Sequence, residues 1–115
     1  MVYFVGAGPG AADLITVRGA ELLKKADVII YAGSLVNPAL LDYAGEKCAI
    51  HNSASMTLDE VTGIMEKHRD DIVVRLHTGD PCIYGAIREQ MDILDLKRIP
   101  YESVPGVSSF IGAAA

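Results

Sequence analysis

Residues 2–16 read Val2-Tyr3-Phe4-Val5-Gly6-Ala7-Gly8-Pro9-Gly10-Ala11-Ala12-Asp13-Leu14-Ile15-Thr16. An apolar run of strand length breaks on a glycine-rich loop, and an amphipathic stretch follows. Four more runs repeat the theme: Val28–Tyr31, Cys48–His51, Ile72–Leu76 and Tyr101–Val104. They are short, nearly continuous and rich in Val and Ile, as strands covered on both faces should be. Strands alternating with helical patterns build parallel sheets through crossover connections. The sequence therefore predicts an α/β domain: an open, mainly parallel five-stranded sheet with helices on both faces.

The intervening stretches carry helix signals. Thr16 to Ala26 places Val17, Ala20 and Leu23 at helical spacing and ends on Lys24-Lys25, where cations meet the negative end of the dipole. Asn37-Pro38 opens a short helix as cap and first-turn proline. Thr57 and Glu60 have the spacing of a capping box ahead of Leu58, Val61, Met65 and His68, and His68 reads as part of that packed stripe. Gly85 to Lys97 carries Ile87, Met91 and Leu94 on one face.

Composition narrows the function. The 115 residues are half hydrophobic and carry 10 basic against 15 acidic side chains, for a formal net charge of −5. Nucleic-acid binding would leave a basic footprint, so it is not expected. No apolar run reaches the roughly 18 residues of a membrane span. The start at Met1 lacks a basic leader and reads as a first strand, not a signal peptide, so a cytoplasmic protein is expected. Cys48 and Cys82 flank no metal-ligand spacing and read as reduced thiols, and no metal site is expected.

Ligands of open α/β sheets sit beyond the carboxyl ends of the strands. That rule singles out three loops: Gly6–Ala12, Thr78–Gly85 and Pro105–Ser109. The first matches a dinucleotide fingerprint with Ala11 in its last position. However, the second strand ends Tyr31-Ala32-Gly33-Ser34, without the acidic residue that would hold a ribose. The loop can therefore serve a nicotinamide or flavin, another backbone-held ligand, or simply a turn. In the second loop, Asp80 either caps the following turn or contacts a ligand. In the third, Ser108 or Ser109 either caps the terminal helix or faces that ligand. His77, at a strand end, is the one histidine placed for a site.

Taken together, the three loops resemble the tetrapyrrole methylases, the S-adenosylmethionine-dependent enzymes of sirohaem and cobalamin biosynthesis. The resemblance rests on Gly6-Ala7-Gly8-Pro9-Gly10 followed by Asp13, Leu14 and Thr16, on Arg75-Leu76-His77-Thr78-Gly79-Asp80-Pro81, and on Val104-Pro105-Gly106-Val107-Ser108-Ser109. It spans the whole chain. It implies S-adenosylmethionine held by Pro9, Thr78, Gly79, Asp80, Ile83, Ser108 and Ser109, with Gly8, Gly33 and Ser34 lining the tetrapyrrole trough. Tyr31-Ala32-Gly33-Ser34-Leu35-Val36 looks like the branch that methylates carbon 11 of precorrin-4 or cobalt-precorrin-4. The uroporphyrinogen branch instead has Tyr-Asp-Arg-Leu-Val there, and a lysine near the end of the third strand. The resemblance further implies that residues 1–115 are the N-terminal domain of a larger two-domain enzyme, homodimeric when complete and inactive as this domain alone. The catalytic step would rest on positioning, with no general base identified. The substrate would be a polycarboxylate, met either by Arg18, Arg75 or Arg88 of this acidic segment or by residues of the second domain. A methylase of another tetrapyrrole, uroporphyrinogen or another precorrin, stays open, as do two other classes: a dinucleotide-binding oxidoreductase domain, and a folded fragment that holds no cofactor.

Overall fold

The computed structural model describes residues 1–6, 17–31, 38–77 and 81–104; at 38–40 and 81–86 the description is of the backbone alone. Five strands form one sheet: β1 (Val2–Gly6), β2 (Val28–Tyr31), β3 (Ala49–Asn52), β4 (Val73–His77) and β5 (Tyr101–Val104). Three helices connect them: α1 (Val17–Lys25), α2 (Leu58–Lys67) and α3 (Pro81–Leu96). The spatial order is β3-β2-β4-β1-β5, and every pairing is parallel.

Period-two alternation divides the sheet into two faces. Val5, Ile29, Val74, Leu76 and Val104 pack with Leu23 and Ala26 beneath α1 and the short 3-10 helix Pro38–Tyr43. Val2, Phe4, Val28, Ile30 and Val73 pack with Val61, Met65, Ile87 and Leu94 beneath α2 and α3. The chain steps from β1 past β4 to β2 on the first face, and returns from β4 past β1 to β5 on the second. Right-handed crossovers require opposite faces for opposite directions of travel, which explains the division of the helices.

The capping box forms as expected: the Thr57 hydroxyl accepts from the Glu60 amide, and the Glu60 carboxylate accepts from the Thr57 amide. At the far end of α3, Ile99 donates to the Leu94 carbonyl and Arg98 to that of Asp95, a Schellman motif that places Arg98 at φ 57°. Four expectations shift. The exposed β3 is an edge strand, paired on one side and uncovered along most of its length. Val17 is 78% exposed, because the buried stripe of α1 runs through Gly19 and Leu23. His68 is not packed in the stripe; it ends α2 as C-cap and pairs through Nδ1 with Asp71 at 2.9 Å. Finally, α3 begins at Pro81 and runs through Gly85. Proline suits the first helical turn, and the burial of Ile87 and Leu94 outweighs an interior glycine, which costs about 1 kcal/mol.

Candidate functional site

Register places the carboxyl edge of the sheet. Gly6 lies beside His77, Val5 beside Val104, and Tyr31 beside Leu76. The loops that follow β1, β4 and β5 therefore leave from three adjacent strands, with the loop after β2 next in line. Chain direction reverses between β1 and β4, since the connection from β1 runs toward β2 and that from β4 runs toward β5. This is the topological switch point, where neighbouring loops part and leave a crevice for a ligand. It falls between Gly6 and His77. The order also differs from the dinucleotide fold, in which β1 pairs with β2; here β4 stands between them.

The sequence-derived ligand contacts flank this crevice in the chain. Gly8 and Pro9, Gly33 and Ser34, Thr78, Gly79 and Asp80, and Ser108 and Ser109 all lie outside the described residues. Ile83 lies in the first turns of α3, with its side chain outside the description. What the structure places is the frame that carries them, with His77 at the crevice edge and buried. Because His77 shares parity with Val73, it belongs to the α2/α3 face. His51 sits on β3, away from the switch point. Burial, then the nearby Asp27 carboxylate, push the Cys48 thiol up, away from the range of a reactive thiolate.

The arginines separate by environment. Arg18 pairs with Glu102 and Arg88 with Asp92, and all four side chains are substantially exposed. Arg75 is 5% exposed and sits at the centre of β4, two residues before the crevice. Its Nε donates to Gln90 Oε1 of α3 at 3.1 Å, and its Nη1 to the Ile30 carbonyl of β2 at 3.4 Å. Desolvation holds its pKa down at about 10. Next to it the Ser53 hydroxyl donates to the Tyr31 carbonyl at 3.0 Å, tying the exit of β3 to the end of β2. Sequence reasoning named Arg75 as one cation among three and missed Gln90 entirely. The available signal was a cation inside an otherwise apolar run, Ile72-Val73-Val74-Arg75-Leu76.

A parallel sheet of this order, with a topological switch point between β1 and β4 and with β4, β1 and β5 ending side by side, defines an α/β domain of the doubly wound class. The chain belongs to the tetrapyrrole (corrin/porphyrin) methylases, whose family model matches residues 1–115. It is 53% identical to the cobalt-precorrin-4 C(11)-methyltransferase of Methanocaldococcus jannaschii, over 99% of this chain and 45% of that protein. A solved cobalt precorrin-4 methyltransferase of cobalamin biosynthesis superimposes with a TM-score of 0.88 at 46% identity, covering 98% of this chain and 48% of the other. The uroporphyrin-III C-methyl transferase of Thermus thermophilus, solved in complex with S-adenosylhomocysteine, gives 0.74 at 34% identity, over 98% and 47%. The chain thus spans about half the length of the relatives it matches. Among the described residues, no helix is long and apolar enough to cross a membrane.

Proposed function

We propose that the protein containing this chain transfers a methyl group from S-adenosylmethionine to carbon 11 of precorrin-4 or cobalt-precorrin-4, in the building of the corrin ring. The observation that carries this reading is the adjacency of the three loop exits at Gly6, His77 and Val104. Those loops hold the motifs of the methylase family, and the likeness to C(11)-methyltransferases directs the choice of substrate. In this reading Pro9, Thr78, Gly79, Asp80, Ile83, Ser108 and Ser109 hold the cofactor, and Gly8, Gly33 and Ser34 face the ring. The crevice suits such a cofactor, because loops leaving side by side can offer backbone donors and acceptors to one folded ligand.

When bound, S-adenosylmethionine supplies an electrophilic methyl on a sulfonium centre. The chain's part is to align the ring carbon with that methyl and to exclude water from the space between them. Such placement can lower a bimolecular barrier by roughly 7–11 kcal/mol. The order β4-β1-β5 keeps the loops in register, and the Ser53–Tyr31 bond fixes the neighbouring strand end. This chain supplies one α/β domain of a two-domain, homodimeric cytoplasmic enzyme, and the domain alone does not turn over.

Calorimetry of the intact protein against S-adenosylhomocysteine, NAD and FAD tests the reading. Binding of S-adenosylhomocysteine is expected, together with methylation of precorrin-4 in a turnover assay. Binding of a dinucleotide alone would overturn it.

A further inference from the structure

Between the sheet, α2 and α3 lies a cleft of about 190 Å³ whose lining includes Arg75, Gln90, Ser53, Met56, Val61 and Glu89. It is too small for a nucleotide or a macrocycle, since drug-sized ligands occupy roughly 300 Å³ or more. It is large enough for one short side arm. Arg75 and Gln90 are 5% and 3% exposed, so both are held inside the protein and not on its surface. Both described partners of the guanidinium, the Gln90 side-chain oxygen and the Ile30 carbonyl, are neutral. The ion pairs among the described residues engage Arg18, His68, Arg88 and Lys97, but not Arg75. A buried cation without a carboxylate partner is costly, and an anion delivered from outside relieves that cost. A bidentate guanidinium suits a planar carboxylate in particular.

We propose that Arg75 and Gln90 form the floor of a carboxylate-binding subsite in this cleft, which receives one acidic side arm of the ring substrate. The choice of occupant rests on the methylase reading above; the anion site itself rests on the cleft and its buried cation. Met56 and Val61 line its apolar wall, where the methylene portion of a propionate-like arm would lie. Glu89 is an exposed residue of the same lining, and its carboxylate opposes entry of an anion.

The test follows the Arg75 Nε–H resonance of the intact protein, prepared with isotope-labelled arginine, as sodium propionate replaces sodium chloride at constant ionic strength. A saturable shift is expected. It should be several-fold tighter in Glu89→Gln and absent in Gln90→Glu, whose new carboxylate occupies the guanidinium. Arg75→Lys identifies the resonance by its loss; should that variant fail to fold, the near-isosteric Gln90→Glu carries the test alone. No saturable shift, the same shift on adding chloride, or a response retained in Gln90→Glu would overturn the subsite. Calorimetry against S-adenosylhomocysteine on the same samples separates the two readings. Cofactor binding without a propionate response rejects the subsite alone. A propionate response without cofactor binding rejects the methylase reading, and with it the assigned occupant.

Discussion

The two faces of the sheet are built from the same strands and differ in what they bury. Beneath α1 the buried cluster is wholly apolar: Val5, Leu23, Ala26, Ile29, Val74, Leu76 and Val104. The α2/α3 face contains every buried polar side chain among the described residues: Thr62, Arg75, His77 and Gln90. Within β4 the two characters alternate residue by residue, with Val74 and Leu76 to one side and Arg75 and His77 to the other. One face therefore supplies cohesion, and the other supplies cohesion together with polar groups that a stable core does not need. Buried polar groups weaken packing unless they are satisfied, and here each buried polar side chain among the described residues has its partner, so this face carries a polar network within its core.

The largest expected effect lies on the apolar face. Leu23 is fully buried, and Leu23→Ala should lower stability by about 3 kcal/mol through lost transfer energy and a cavity. Chemical denaturation would read that loss, while the cofactor affinity of the folded fraction should not move. A substantial change in affinity would erase the division between the faces.

Arg75→Met should do the reverse. Burial depresses the Arg75 pKa well below the ordinary guanidinium range, to about 10, a penalty of roughly 3 kcal/mol. That penalty is fully present below about pH 10, and it shrinks as pH rises from there toward the ordinary guanidinium value. At neutral pH the variant should therefore be as stable as the parent or more so, allowing for the bond that Gln90 loses. Methyl transfer by the intact enzyme should nonetheless fall at least about tenfold, the worth of one charged hydrogen bond. Unfolding curves at neutral and alkaline pH, set beside turnover, would reveal whether this face serves function over stability.

A smaller effect concerns the helix that carries Gln90. Arg98 occupies a left-handed conformation, φ 57°, which strains any residue with a Cβ. Arg98→Gly should raise stability by about 0.5–1 kcal/mol and leave turnover unchanged. A fall in turnover would mean that the end of α3 participates in the site. Smallest is Glu66→Gln. Hydrogen bonding to Lys97 holds the Glu66 carboxyl below its ordinary 4.5, so its contribution is fully present above 4.5 and is lost as pH falls below it through the depressed folded-state value. The variant should show a slightly flatter acid limb in thermal unfolding, because the pair is exposed and joins α2 to α3 only at the surface.

Much of this architecture was legible in residue order. The apolar runs marked the five strands to within a residue or so at each end, and Thr57 with Glu60 marked the start of α2, because these signals are local. Three features were not legible, each for a physical reason. The edge position of β3 depends on which strands flank it, and apolar residues such as Ile50 do not announce their neighbours. The start of α3 was obscured because Gly85 resembles a break, whereas distant packing of Ile87 and Leu94 keeps the helix continuous. The partnership of Arg75 with Gln90 joins residues from a strand and a helix whose approach only the folded sheet defines.

By itself the order of residues determined the class of fold, the helix caps and the three motifs that identify the family, since each is written in short-range spacing. Tertiary structure alone decided the strand order β3-β2-β4-β1-β5, and with it the switch point between Gly6 and His77 and the burial of Arg75 against Gln90. Those outcomes follow from crossover handedness and from the burial of one strand between two others. They belong to contacts between distant segments, which no single stretch of the chain contains.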